Sequence, residues 1–233
     1  GGSDGSAVRN WKIVQYNKSM VTFLDKLPDG HMGFPGNLTV ETTYKVAQST
    51  IDIVIEASTD KTTLCNFTNH SYFNLDGTKN IANHQLMVEC DKVLPVDENG
   101  IPISGPIFAK DLNLDFKSGR TLNNNGNPIE VDHNFCISNT RQNLRRNAFV
   151  TAKNISLELF STEPGLQVYT GKGLNSGNEK IWGKYPYREF AGIALEPQIW
   201  PDAPNQIDFP NPLLQPGDKY KHHTRLKFSR TKI

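Results

Sequence analysis

The sequence holds only three cysteines in 233 residues, Cys65, Cys90 and Cys136, far apart and in no CxxC pair. That spacing argues against a zinc knuckle or a thioredoxin-like site. The odd count argues against a full disulfide framework and fits a reducing, cytoplasmic setting. There is no run of eighteen apolar residues, so no membrane-spanning helix is expected. The opening GGSDGSAVRN has neither the basic start nor the apolar stretch of a signal peptide. No charge sign dominates: 25 Lys and Arg against 24 Asp and Glu leave a formal +1, which points to neither nucleic acid nor an anionic membrane as partner. The most basic stretch, 219–232, reads as a solvated last strand. Neither GxGxxG nor GxxxxGK[ST] occurs, so no nucleotide cofactor is expected. No window keeps apolar residues at helical spacing over three turns.

What is present has period two. Leu38, Val40, Thr42, Tyr44 and Val46 alternate with polar residues, and so do Ile51, Ile53 and Ile55, and Ile155, Leu157 and Leu159. Alternation buries one set of side chains and exposes the other. The segments 11–16, 20–24, 85–89, 148–152, 166–170, 192–196 and 220–228 also read as strands. Turn signals separate them: PDG at 28–30, ENG at 98–100, EPG at 163–165 and PGD at 216–218. One short helical turn fits 110–114, and NNNGNP at 123–128 reads as a loop, because Asn and Gly favour positive φ and Pro ends a ladder. No linker divides the chain. The expectation is an all-β sandwich of stacked sheets over a single domain, residues 1–233.

Four segments carry candidate chemistry. In NFTNHSYFNLDG (66–77), a strand would put His70 and Tyr72 on one face beside Asn66, Thr68 and Asn74, with Phe67, Phe73 and Leu75 turned to the core. A polar row with an aromatic ring suits a sugar; a hydrogen-bonded sheet face with an ordinary histidine is the plainer alternative. In VDHNF (131–135), Asp132 could accept two sugar hydroxyls in a fork, or cap a turn. The spacing supplies no second strong metal ligand, so no metal is expected. In GIALEPQIWPDAPN (192–205), alternation sets Ala194, Glu196 and Gln198 against Ile193 and Leu195, and Pro197 requires an edge or end. Glu196 there could reach a cleft or form a surface salt bridge. In PGLQVYTGKGLN (164–175), Gln167 and Tyr169 share a face. A histidine and a glutamate in one cleft suit acid/base opening of a hemiacetal, in which the base takes the anomeric hydroxyl proton and the acid protonates the ring oxygen.

Taken together, NHSYFNLDG, VDHNF and LEPQIWPDAPNQIDFPNPLLQPGDKY resemble the signature segments of the aldose 1-epimerases, in that family's order. LPDGHMGFPGNLTVETTY (27–44) resembles the family's "SPDGEEGFPGNL" stretch, and LQVYTG is shared as well. The resemblance covers nearly the whole chain. It implies a large galactose-mutarotase-like β-sandwich and an isomerase acting on free monosaccharides such as galactose and glucose, without cofactor. It implies His70 as general acid, Glu196 as base, Asp132 as a ligand of sugar hydroxyls, and Tyr72 and Gln167 as pocket lining. The family's earlier "NRI" and "LHGG" segments, with their Arg and His, have no counterpart here, so the sandwich is expected without its first strands. A sugar-binding or regulatory module without turnover is therefore the alternative, and a lyase or hydrolase on a similar sandwich a weaker one. The family usually continues "YTGNFL" where this chain has Tyr169-Thr170-Gly171-Lys172-Gly173-Leu174.

Overall fold

The computed structural model describes residues 1–179 and 186–230. In chain order the strands are β1 (Lys12–Asn17), β2 (Met20–Leu27), β3 (Leu38–Ala47), β4 (Thr50–Thr59), β5 (Thr63–Leu64), β6 (Tyr72–Phe73) and β7 (Gln85–Val88). They continue as β8 (Lys92–Val93), β9 (Ile107–Phe108), β10 (Arg120–Thr121), β11 (Asn123–Asn124), β12 (Asn127–Pro128) and β13 (Asp132–Cys136). The last six are β14 (Arg145–Ala152), β15 (Ile155–Ser161), β16 (Gly165–Tyr169), β17 (Ile193–Gln198), β18 (Leu213–Leu214) and β19 (Tyr220–Arg230). Among the described residues one sheet has nine strands in the order β1-β2-β3-β4-β19-β15-β14-β7-β10, a second has six in the order β6-β17-β16-β13-β8-β9, and β11-β12 and β18-β5 form two-stranded sheets. All the pairings are antiparallel.

One apolar core joins the sheets. Val40, Ile53, Ile55, Leu157, Leu159 and Leu226 from the larger sheet pack in one cluster with Val93, Phe135, Leu166, Val168, Ile193 and Leu195 from the smaller. Most are the inward members of alternating runs, as the period-two pattern requires. The basic stretch is β19, an interior strand between β4 and β15: Tyr220, His222, Thr224 and Leu226 are buried while the intervening residues lie outward. Thr231 and Lys232, at the end of that stretch, lie outside the described residues. Alternation fails at strand ends, where Val46 is 51% exposed. The edge strand β1 is exposed along its whole length.

Two expectations need correction. The segment 66–77 is not a strand: only Tyr72 and Phe73 pair, with Ala194 and Ile193. Its asparagines bond to other parts of the chain. Asn66 Nδ2 donates to the Ile199 carbonyl at 3.1 Å, Asn69 Nδ2 to Tyr44 Oη at 3.0 Å, and Asn74 Nδ2 to the Thr78 and Ala191 carbonyls at 2.9 Å. Phe67, Phe73 and Leu75 do pack on the core as expected. The stretch 123–128 is a hairpin and not a loop. Asn125 (φ 50°) and Gly126 (φ 91°) make its two-residue turn. Asn124 pairs with Asn127 and Asn123 with Pro128, and the Ile129 N–H bonds the Leu122 carbonyl at 3.1 Å. Pro128 thus takes the pair position that needs no ladder N–H, which is why it does not break the hairpin. The helical turn expected over 110–114 is a 3-10 turn at Ala109–Leu112.

Candidate active site

The site lies on the face of the six-stranded sheet turned away from the core. Antiparallel register builds it in rows. Asp132 of β13 lies opposite Tyr169 of β16, Tyr169 opposite Ala194 of β17, and Ala194 opposite Tyr72 of β6. Two residues along, Asn134 lies opposite Gln167, and Gln167 opposite Glu196. Residues two apart on a strand share a face, so both rows point outward, while Phe135, Val168 and Leu195 point inward to the core. His133, next to Asp132, is on the inward face, and burial holds its imidazole below the ordinary histidine range.

His70 arrives from the loop before β6. Its Nε2 stands 3.4 Å from Glu196 Oε1; the His70 side chain is 51% exposed, the Glu196 side chain 10%. That asymmetry decides the electrostatics. Burial, aided by the negative charge of Asp132, pushes the Glu196 carboxyl up to about 7. Pro197 sits where β6 no longer flanks β17, as a residue without an N–H requires. The His70 and Tyr72 rings lie 5.0 Å apart at 31°, and Tyr72 meets Tyr169 edge-on at 6.2 Å. Burial and the negative charges around it raise the Tyr72 phenol, which therefore stays a hydrogen-bond donor at neutral pH.

Asp132 is exposed, and its Oδ1 accepts from Gln167 Nε2 at 2.6 Å. Gln167 Oε1 is buried and meets no donor among the described residues, an arrangement that costs free energy. Register thus gathers Glu196, Gln167, Asp132 and Tyr72 on one face, and the loop adds His70. Sequence reasoning missed Asn134, which shares that face. Asn134 was legible as the residue two beyond Asp132, but nothing local marked it.

The floor of the row is set by a small residue. A Cβ on Gly165 would collide with Asn134 Oδ1 and come within 2.9 Å of Trp200 Cδ1 and 3.0 Å of the Gln198 carbonyl. Trp200 cannot easily retreat, because it is buried and its Nε1 donates to the Pro164 carbonyl at 3.1 Å. Gly165→Ala is expected to destabilise the fold by about 1–3 kcal/mol through overpacking. Urea unfolding checks this, and an unchanged midpoint would show that the Trp200 side has slack. Beyond β16, Tyr169 Oη accepts the Gly173 N–H at 2.6 Å, which fixes the loop where this chain departs from the family's usual sequence.

A family profile described as aldose 1-epimerase matches residues 1–227. The aldose 1-epimerase of Escherichia coli K12 is 34% identical over 241 aligned residues, covering 98% of this chain and 69% of that protein. The chain belongs to the aldose 1-epimerase family. Human galactose mutarotase is 39% identical over 214 residues, covering 87% of this chain and 60% of the human protein. Among solved structures, an aldose epimerase homologue from C. elegans superposes with a TM-score of 0.87 at 28% identity, covering 96% of this chain and 70% of that one. A galactose 1-epimerase from Lactobacillus acidophilus gives 0.79 at 26% identity, covering 95% and 67%. The all-β, antiparallel architecture is that of this epimerase family. Among the described residues no helix is long and apolar enough to cross a membrane.

Proposed function

We propose that this chain interconverts the α and β anomers of free aldoses, with Glu196 as base and His70 as acid. The observation that carries the reading is their placement side by side, 3.4 Å apart. The anomeric hydroxyl and the ring oxygen are bonded to the same carbon, so an acid and a base serving them must stand next to each other. Glu196 takes the proton of the anomeric hydroxyl, the electron pair forms the carbonyl, and the bond from C1 to the ring oxygen breaks. That oxygen takes its proton from His70. The aldehyde turns about its bond to C2, and closure runs the same transfers backwards on the other face. Protons and electrons balance, and each residue ends as it began.

A carboxyl pushed up to about 7 suits this chemistry, because a base is most useful when its pKa lies near the working pH. Asp132 offers an exposed carboxylate for sugar hydroxyls, oriented by the Gln167 amide, and the Tyr72 ring offers an apolar face. The substrate class is therefore a monosaccharide with a free anomeric centre. The three cysteines are buried and unpaired, which suits a reducing, cytoplasmic setting.

Polarimetry of freshly dissolved α-D-galactose and α-D-glucose tests the reading. The chain is expected to hasten the approach to anomeric equilibrium above the spontaneous rate. Folded protein that leaves that rate unchanged for every aldose tried would overturn it.

A further inference from the structure

The loop that carries His70 is not held by a β-ladder, since no strand lies between Leu64 and Tyr72. Beside the Asn69 bond to Tyr44 Oη next to His70, two side-chain clamps tie it down near its base. Asn66 reaches past the end of β17: its Nδ2 donates to the Ile199 carbonyl at 3.1 Å, and its Oδ1 accepts the Ile199 N–H at 2.9 Å. Ile199 is three residues beyond Glu196, so one amide joins the loop of the acid to the strand of the base. The next residue is clamped by β19. Tyr220 Oη accepts the Phe67 N–H at 3.1 Å and donates to the Phe67 carbonyl at 3.2 Å, and His222 Nδ1 donates to the same carbonyl at 2.9 Å. Tyr220 is itself fixed, with the Arg141 guanidinium 4.4 Å from its ring centroid and Arg141 forked onto buried Glu163 at 2.7 and 3.1 Å.

We propose that Asn66 and Tyr220 are positioning residues that lock the His70 loop onto β17 and β19 and so set the separation of His70 from Glu196. This role rests on the anomer-exchange reading. A short loop released at its base can swing its tip by an ångström or more, and an error of about 1 Å in placing a reacting group can lower a rate by roughly 100-fold. Asn66 is exposed, so it adds little apolar burial and its loss leaves the core intact. Its two bonds act on geometry.

The test is polarimetric kcat and KM for Asn66→Ala and Tyr220→Phe, measured on both sides of neutrality, with thermal unfolding followed in parallel. Tyr220→Phe keeps the ring and is the gentler variant. The expected result is a fall in kcat of about 10- to 100-fold, with little change in KM. The ascending limb of the pH profile should also move to lower pH, because a loosened loop lets water reach Glu196; the titratable groups facing that carboxyl are His70, Tyr72 and Asp132. Wild-type kcat in both variants would overturn the proposal. So would losses that only track the unfolded fraction while the limb stays in place. If the wild-type chain itself fails to exchange anomers, the functional reading falls, and NMR still decides the positioning role. Glu196→Gln should displace the His70 Cε1–H resonance in the wild-type background and not in the Asn66→Ala background. An equal displacement in both would overturn it.

Discussion

Glu196→Gln is expected to lower kcat by about 1000-fold, the scale of a lost general base, while making the folded protein more stable above neutral pH. The two effects have one cause. Burial holds the Glu196 carboxyl at about 7 in the folded chain, against 4.5 for an ordinary glutamate. Below about pH 4.5 the carboxyl is protonated in both folded and unfolded chains, and wild type and variant should be equally stable on this account. As pH rises towards 7, the unfolded chain ionises and the folded chain resists, so wild-type stability falls. Above 7 the folded chain carries a poorly solvated charge that the glutamine lacks, a difference of about 3 kcal/mol. Thermal unfolding of both proteins at acid and mildly alkaline pH measures this, and polarimetry measures kcat. A variant no more stable than wild type at alkaline pH would mean that Glu196 is well solvated or paired. A variant with normal kcat would remove it as the base. Sugar affinity retained by the variant would separate loss of turnover from loss of binding. The ascending limb of wild-type kcat is expected near pH 7 for the same reason, since only the ionised carboxylate can accept the proton.

Arg141→Met is expected to destabilise the fold by about 3–5 kcal/mol, because it strands the fully buried Glu163 carboxylate. Glu163 lies at the corner where the chain leaves β15 for β16, crossing from one sheet to the other. Its side chain receives the fork from Arg141, and its N–H bonds Ser161 Oγ at 3.1 Å. Removing the arginine takes away the cation that forks onto this charge. The double substitution Arg141→Met with Glu163→Met should recover most of the loss, since replacing both members of a buried pair by apolar groups is often close to neutral. Chemical denaturation of the three variants decides. A single substitution costing under about 1 kcal/mol would mean that water or Arg145 takes over the carboxylate. Because Arg141 also lies over the Tyr220 ring, some loss of activity is expected beyond the loss of folded protein.

The contrast between these two carboxylates shows how much of the protein was readable in its sequence. Period-two alternation marked the strands and their inward faces, because side-chain direction in a strand depends only on neighbours one and two residues away. It put Glu196 beside Ala194 and Gln167 beside Tyr169 on shared faces before any pairing was known. Residue type and motif order then pointed to a sugar site. The strand considered over 66–77 does not form for a physical reason: its asparagines satisfy distant backbone groups at Ile199 and Ala191, and those partners are invisible to a local pattern. The hairpin at 123–128 was hidden in the same way, since whether Pro128 breaks a ladder depends on which pair position it takes.

The sequence by itself therefore determined the fold class and the inward faces of the alternating strands, which follow from short-range geometry, while the roles of the candidate residues came from the resemblance of their motifs. Only the tertiary structure decided the register that aligns Asp132, Tyr169, Ala194 and Tyr72 in a row, the 3.4 Å approach of His70 to Glu196, and the clamps on Asn66 and Phe67. It also decided the burial that moves the Glu196 carboxyl to about 7. Desolvation is a property of everything packed around a group, and that environment exists only once strands distant in sequence have been brought together.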